Sequence, residues 1–157
     1  MSVFGDLMDD RYKKGMGVLE ITNKENIENL FDNLKDIAPD LARFVVEFPY
    51  SEIYTRENVD LKTRELATIA ALTAMGTAET QLKSHITAAL NVGNSPEEIV
   101  EIIMQMSAYA GFPAAINGIN AAKEIFKKRG LLPLKSTKEW LFSDDFKRWF
   151  DIDYLKL

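Results

Sequence analysis

Residues 60–118 read DLKTRELATIAALTAMGTAETQLKSHITAALNVGNSPEEIVEIIMQMSAYAGFPAAING, and the pattern in this stretch decides the fold. Asp60 is a suitable N-cap for a helix through Met75, with Leu66, Ile69, Ala70 and Thr73 on one face and Gly76 as its stop. A second helix follows, capped by Thr77 and running to Gly93, with Leu82, Ile86, Ala89 and Leu90 at helical spacing and Glu79 near its positive end. The only histidine of the chain, His85, borders that apolar stripe, and Gln81 lies one turn before it on the same face. Ser95-Pro96-Glu97-Glu98 is a capping box with proline at the first helical position. The helix it opens carries little but Glu98, Glu101 and Gln105 against an apolar surface, and residues 108–122 are apolar on nearly every side. A helix that is hydrophobic all round must be buried all round, which a chain this short rarely achieves alone, so the expectation is a homo-oligomer.

Outward from this stretch the chain stays helical, and the fold class expected is all-α. Residues 6–18 form a mixed amphipathic segment whose end Gly15 and Gly17 weaken. Residues 26–37 place Ile27, Leu30, Phe31, Leu34 and Ile37 on one stripe. Pro39 opens a third helix over 40–48, with Leu41, Phe44, Val45 and Phe48 as its apolar face, and Pro49 ends or kinks it. After the last long helix, 114–128, Lys127, Lys128 and Arg129 suit a carboxyl end before Gly130. Residues 1–130 therefore read as one helical domain and 131–157 as an extension. A second capping box at Ser136-Thr137-Lys138-Glu139 and both tryptophans, Trp140 and Trp149, suggest an extension that is helical and packs on its own subunit or a neighbour.

Composition narrows the function classes. The chain has 157 residues, a net charge of -5 and no basic block, which argues against nucleic acid and against a membrane surface. No signal-peptide pattern and no uninterrupted span-length apolar run is visible, so a cytoplasmic location is expected. His85 is the natural proton carrier, since histidine ordinarily exchanges protons near neutral pH. A lone histidine beside an apolar stripe is also often a packed structural residue.

Several short motifs, in order and spacing, resemble the carboxymuconolactone decarboxylase family. They are Arg64-Glu65-Leu66, then His85 with Ala88-Ala89-Leu90 and Gly93, then Pro96-Glu97-Glu98-Ile99 with Glu101, and then Tyr109-Ala110-Gly111-Phe112-Pro113-Ala114-Ala115. Upstream, Arg11-Tyr12-Lys13-Lys14-Gly15-Met16 and residues 44–56 resemble the amino-terminal part of the decarboxylase branch, so the likeness covers about residues 10–128. It implies an alkylhydroperoxidase D-like helical fold assembled as a trimer or hexamer. The redox branch of that family carries C-x-x-C-x-x-x-H, whereas here Ala78-Glu79-Thr80-Gln81 precedes His85 and the chain has Cys 0. Without a thiolate there is no nucleophile for peroxide or disulfide reduction.

The resemblance therefore implies cofactor-independent and metal-free decarboxylation of 4-carboxymuconolactone or a related small carboxylated lactone or keto acid. His85 is the implied general acid for the dienolate left by carbon dioxide, and Gln81 or Gln105 is a donor to its oxyanion. Gln105 stands where decarboxylase-like members often have histidine or glutamine. Arg64 reads either as a clamp on a substrate carboxylate or as an ion pair with Glu98 or Glu101. Glu65 lies about 100° round the helix from it, so it either orients His85 or is a solvated carboxylate. The segment Tyr109-Ala110-Gly111-Phe112-Pro113 offers a helix amino terminus for an anion, with Gly111 allowing close backbone approach, or else a tight turn with a buried tyrosine. The alternatives are a lactone hydrolase or isomerase using the same pocket, and a non-catalytic binding or scaffolding oligomer.

Overall fold

The computed structural model describes residues 3–135, with side chains from residue 10 onward, and every regular element among the described residues is helical. Helix α1 is Val3–Thr22, α2 Lys24–Leu34 and α3 Pro39–Val45, which runs on into a wider π-helical segment, Val46–Ile53. Four longer helices follow: α4 Leu61–Met75, α5 Glu79–Asn91, α6 Pro96–Ala110 and α7 Phe112–Lys128. The extension beyond residue 135, with both tryptophans, lies outside the described residues.

Helices α4 to α7 enclose the main core. Ile69 of α4, Leu82, Ile86 and Ala89 of α5, Ile99 and Ile103 of α6, and Ala121, Ala122, Ile125 and Phe126 of α7 meet there, with Leu134 closing one end. Each large side chain so buried contributes roughly 1.5–3 kcal/mol. Small residues let the helices approach. A Cβ added to Gly118 of α7 would stand 2.8 Å from Ile103 Cγ2 and 3.0 Å from Thr73 Cγ2. The ends of these helices are set locally. Asp60 accepts from the Thr63 amide at 2.7 Å, Gly76 closes α4 with φ 69°, and at Ser95 both bonds of the capping box form.

A smaller core joins α1 and α2 to the π-helical segment through Leu19, Ile27 and Val46, with Tyr12, Met16, Leu30, Phe31 and Tyr50 around it. Side chains tie the two cores together: Asn23 Nδ2 donates to the Ser84 carbonyl at 3.1 Å, and Asn91 Nδ2 donates to the Thr22 carbonyl at 2.7 Å.

Four local expectations need correction. Helix α1 passes through both glycines to Thr22, because Gly15 is where α1 lies against the backbone of Val46; a Cβ there would collide with the Val46 carbonyl oxygen. Pro49 does not end its helix. It lacks the N–H for the usual i−4 bond, and the winding widens instead, with the Tyr54 amide donating to the Pro49 carbonyl at 2.9 Å. The apolar face expected on the third helix is turned out: Leu41, Phe44 and Phe48 are exposed, while Ala42 and Val46 are buried. Thr77 does not cap α5, whose N-cap is Ala78 without a side-chain bond.

Candidate active site

Glu65 sits on the stripe of α4 that also carries Ile69 and Thr73, and it is 0% exposed. A carboxylate in that position must find a partner, because an unpaired buried charge is expensive. Its partner comes from the neighbouring helix: His85 Nδ1 lies 2.7 Å from Glu65 Oε2. A carboxylate only accepts, so Nδ1 carries the proton and Nε2 is the ring nitrogen left to meet a ligand. The His85 side chain is 19% exposed, enough to reach solvent from one side. The second oxygen of Glu65, Oε1, is buried and has no hydrogen-bond partner among the described residues.

The π-helical segment supplies the wall behind this pair. Tyr50 and Tyr54 stack with ring centroids 5.0 Å apart, tilted by 48°. The Tyr54 hydroxyl lies 3.0 Å from Thr68 Oγ1, which itself donates to the Arg64 carbonyl at 2.9 Å. Burial, and then the negative charge of Glu65, raise both phenols, Tyr54 to about 12 and Tyr50 further still. The Glu65 charge thus reaches both tyrosines as well as His85.

Arg64 occupies the start of α4 and straps down the loop before it. Its Nε donates to the Val59 carbonyl at 3.0 Å and its Nη2 to the Arg56 carbonyl at 2.9 Å. The ion pair with Glu98 or Glu101 that the sequence allowed is not formed. Glu98 instead completes the capping box of α6, with Lys62 Nζ 4.0 Å away. Among the described residues no hydrogen bond joins Gln81 or Gln105 to the Glu65–His85 pair, and both are exposed. Gly111, with φ 87°, is the single hinge residue between α6 and α7. Tyr109 and Phe112 on either side of it are 80% and 72% exposed, so the reading of a buried tyrosine in this turn is not met in the single subunit.

The structure brings Glu65 and His85 together, with Arg64 nearby, and leaves Gln81, Gln105, Tyr109, Gly111 and Phe112 outside that bonded group. Tyr50, Tyr54 and Thr68 were missed by sequence reasoning. Their signal was two tyrosines four residues apart, one helical turn on a shared face, placed shortly before Arg64-Glu65. A separate cleft of about 220 Å³ opens beside the turn from α4 to α5, lined by Thr73, Gly76, Ala78, Glu79 and Asn117. Its one ionisable side chain, Glu79, is engaged by Lys83 at 2.5 Å, so proton chemistry is better served by the Glu65–His85 pair. Among the described residues no group of His, Asp and Glu converges in the way a metal ion needs, and no helix is long and apolar enough to cross a membrane.

Residues 39–124 match the family model described as "Carboxymuconolactone decarboxylase family". That span includes Tyr50, Tyr54, Arg64, Glu65, Thr68 and His85. A protein of Acinetobacter baylyi named 4-carboxymuconolactone decarboxylase is 35% identical over 132 residues, covering 83% of this chain and 98% of that protein. An uncharacterized 15.0 kDa protein of Paracoccus denitrificans is 34% identical over 94 residues, covering 59% of this chain and 70% of that one.

Proposed function

The chain belongs to the carboxymuconolactone decarboxylase family, and on that premise we propose that it is a cofactor-independent carboxy-lyase acting on 4-carboxymuconolactone or a closely related small carboxylated lactone or keto acid. The observation that carries this reading is the pairing of the only histidine with a buried carboxylate, since a binding scaffold would have no need to maintain such a charge in its interior.

In the proposed reaction the bond to the leaving carboxylate breaks, carbon dioxide departs, and the bonding electron pair runs into the unsaturated lactone carbonyl as a dienolate. His85 Nε2 then delivers a proton to carbon, the electron pair ends in a C–H bond, and solvent restores the proton to the imidazole. No electrons are left over, so the chemistry calls for no redox partner. Glu65 holds the ring through Nδ1 and offsets the positive charge of the imidazolium. Gln81, one turn before His85 on α5, is the proposed donor to the dienolate oxygen. Arg64, whose positive charge lies next to this wall, is proposed to attract the substrate carboxylates while its bonds hold the loop. Gln105, Tyr109, Gly111 and Phe112 are assigned to the rim of the site, where a second subunit would approach.

A homo-oligomer, trimer or hexamer, is part of the proposal. Met75, Met104, Tyr109, Phe112 and Ile116 stand exposed about the ends of α4, α6 and α7, an apolar surface that covering by another copy would remove from water. The test of function is carbon dioxide release from freshly prepared 4-carboxymuconolactone, run beside a known decarboxylase. Turnover is expected; none, with the control active, would remove this substrate and return the choice to another carboxylated ligand or a non-catalytic oligomer.

A further inference from the structure

Glu65 has two carboxylate oxygens, and only one is bonded: Oε2 receives His85, while Oε1 is buried without a donor. The hydroxyl next to it has a choice of acceptor. Thr68 has a single hydroxyl proton, and it goes to the Arg64 carbonyl at 2.9 Å. The 3.0 Å contact between Tyr54 and Thr68 therefore has Tyr54 donating. Glu65 and Thr68 are three residues apart on α4 and share a face, so a phenol resting on Thr68 rests beside the Glu65 carboxylate.

We propose that Tyr54 is a positioning residue for Glu65: its O–H turns from Thr68 to the unpartnered Oε1, and by doing so sets how strongly Glu65 holds His85. The surroundings suit the exchange. Burial, and then the charge of Glu65, raise the Tyr54 phenol, and the Thr68 hydroxyl and the Arg64 charge work against them. Tyr50 packs against the Tyr54 ring and keeps it in place, yet its own hydroxyl makes no hydrogen bond among the described residues. A carboxylate gripped by two donors shares its charge between them, so a stronger bond from Tyr54 weakens the one from His85. The functional consequence rests on the proposed proton-donor role of His85. The test does not.

Because the chain has one histidine, its Nδ1 nitrogen signal can be followed without ambiguity in ¹⁵N-labelled protein through the carbon-bound ring protons, which do not exchange with water. Tyr54→Phe keeps the ring stack and removes the donor, so the Nδ1–H bond to Glu65 strengthens and the Nδ1 signal moves downfield. Thr68→Val removes the competing acceptor, commits the Tyr54 hydroxyl to Glu65 and moves the signal upfield. Tyr50→Phe leaves it in place. Opposite movements in the first two variants are the expected result, since a general loosening of the wall would move both alike. An unchanged signal in Tyr54→Phe, or movement of both variants in one direction, would overturn the proposal. Should Tyr54→Phe fail to fold, absence of an upfield shift in Thr68→Val would overturn it alone. Opposed shifts in a protein without turnover would keep the role of Tyr54 and discard the decarboxylase reading; turnover without the shifts would do the reverse.

Discussion

A buried glutamate is tolerable only with a partner in place, and Glu65 has one bonded partner, His85 of α5, with Tyr50 and Tyr54 close enough to feel its charge. Its charge leaves a mark on both neighbouring phenols, which hold their protons well above the ordinary tyrosine value. Raised phenols mean that the folded chain binds these protons more tightly than the unfolded chain. The stability they confer is complete below about pH 10, the unperturbed tyrosine value, and falls away as pH rises through about 12 for Tyr54. A spectrophotometric titration of the five tyrosines should accordingly show two that ionise only as the protein unfolds in alkali. Ionisation of all of them together near pH 10, with the fold intact, would contradict the burial of this wall. At this scale the sequence named Glu65 and His85 through the resemblance, and it left open whether they meet. Helical spacing says which residues share a face of one helix; it does not say which side chain on a second helix faces them. Tyr54 and Thr68 were missed for the same reason, since their bond joins the residue that closes the π-helical segment to α4.

Among the elements, the four long helices were legible because their ends are written in local chemistry: Asp60, Gly76, Ser95 with Glu98, and the Gly111 break each act within a few residues of themselves. Where the structure departs from the sequence reading, a distant contact has outweighed a local preference. Gly15 is poor helix material, but its missing side chain is what lets α1 touch the backbone at Val46. Gly17, two residues on, is exposed, and a Cβ added there would meet nothing within 4 Å. The two glycines should therefore respond oppositely to alanine. Gly17→Ala is expected to stabilise the protein by about 0.5–1 kcal/mol through helix propensity. Gly15→Ala should destabilise it by about 1–3 kcal/mol, because a backbone carbonyl cannot turn aside as a side chain can. Denaturant unfolding of the two variants measures both. Equal effects would mean that α1 does not pack closely on the π-helical segment.

For the whole molecule, the apolar character of α6 and α7 is only half absorbed by one subunit. Ile99, Ile103, Ala121, Ala122, Ile125 and Phe126 fill the core, whereas Met104, Tyr109, Phe112 and Ile116 face outward. The expectation of all-round burial came from hydropathy alone, which counts apolar faces without saying what covers them. If the outward face is a contact between copies, light scattering should find an oligomer in the wild type, and Phe112→Asp should yield a smaller species that remains helical. A wild-type monomer at micromolar concentration would remove the contact, and with it the assignment of Gln105 and Tyr109 to a shared rim.

The central claim is that His85, held by Glu65, supplies the proton that completes decarboxylation. It is tested most directly by the rate of carbon dioxide release from 4-carboxymuconolactone in the wild type, His85→Ala and Glu65→Gln. Loss of the general acid is expected to lower kcat by about 10²–10⁴-fold in His85→Ala. Glu65→Gln, which keeps an acceptor for Nδ1 but removes its charge, should lower kcat by less and leave KM nearly unchanged. Wild-type turnover that persists undiminished in His85→Ala would contradict the mechanism at its centre.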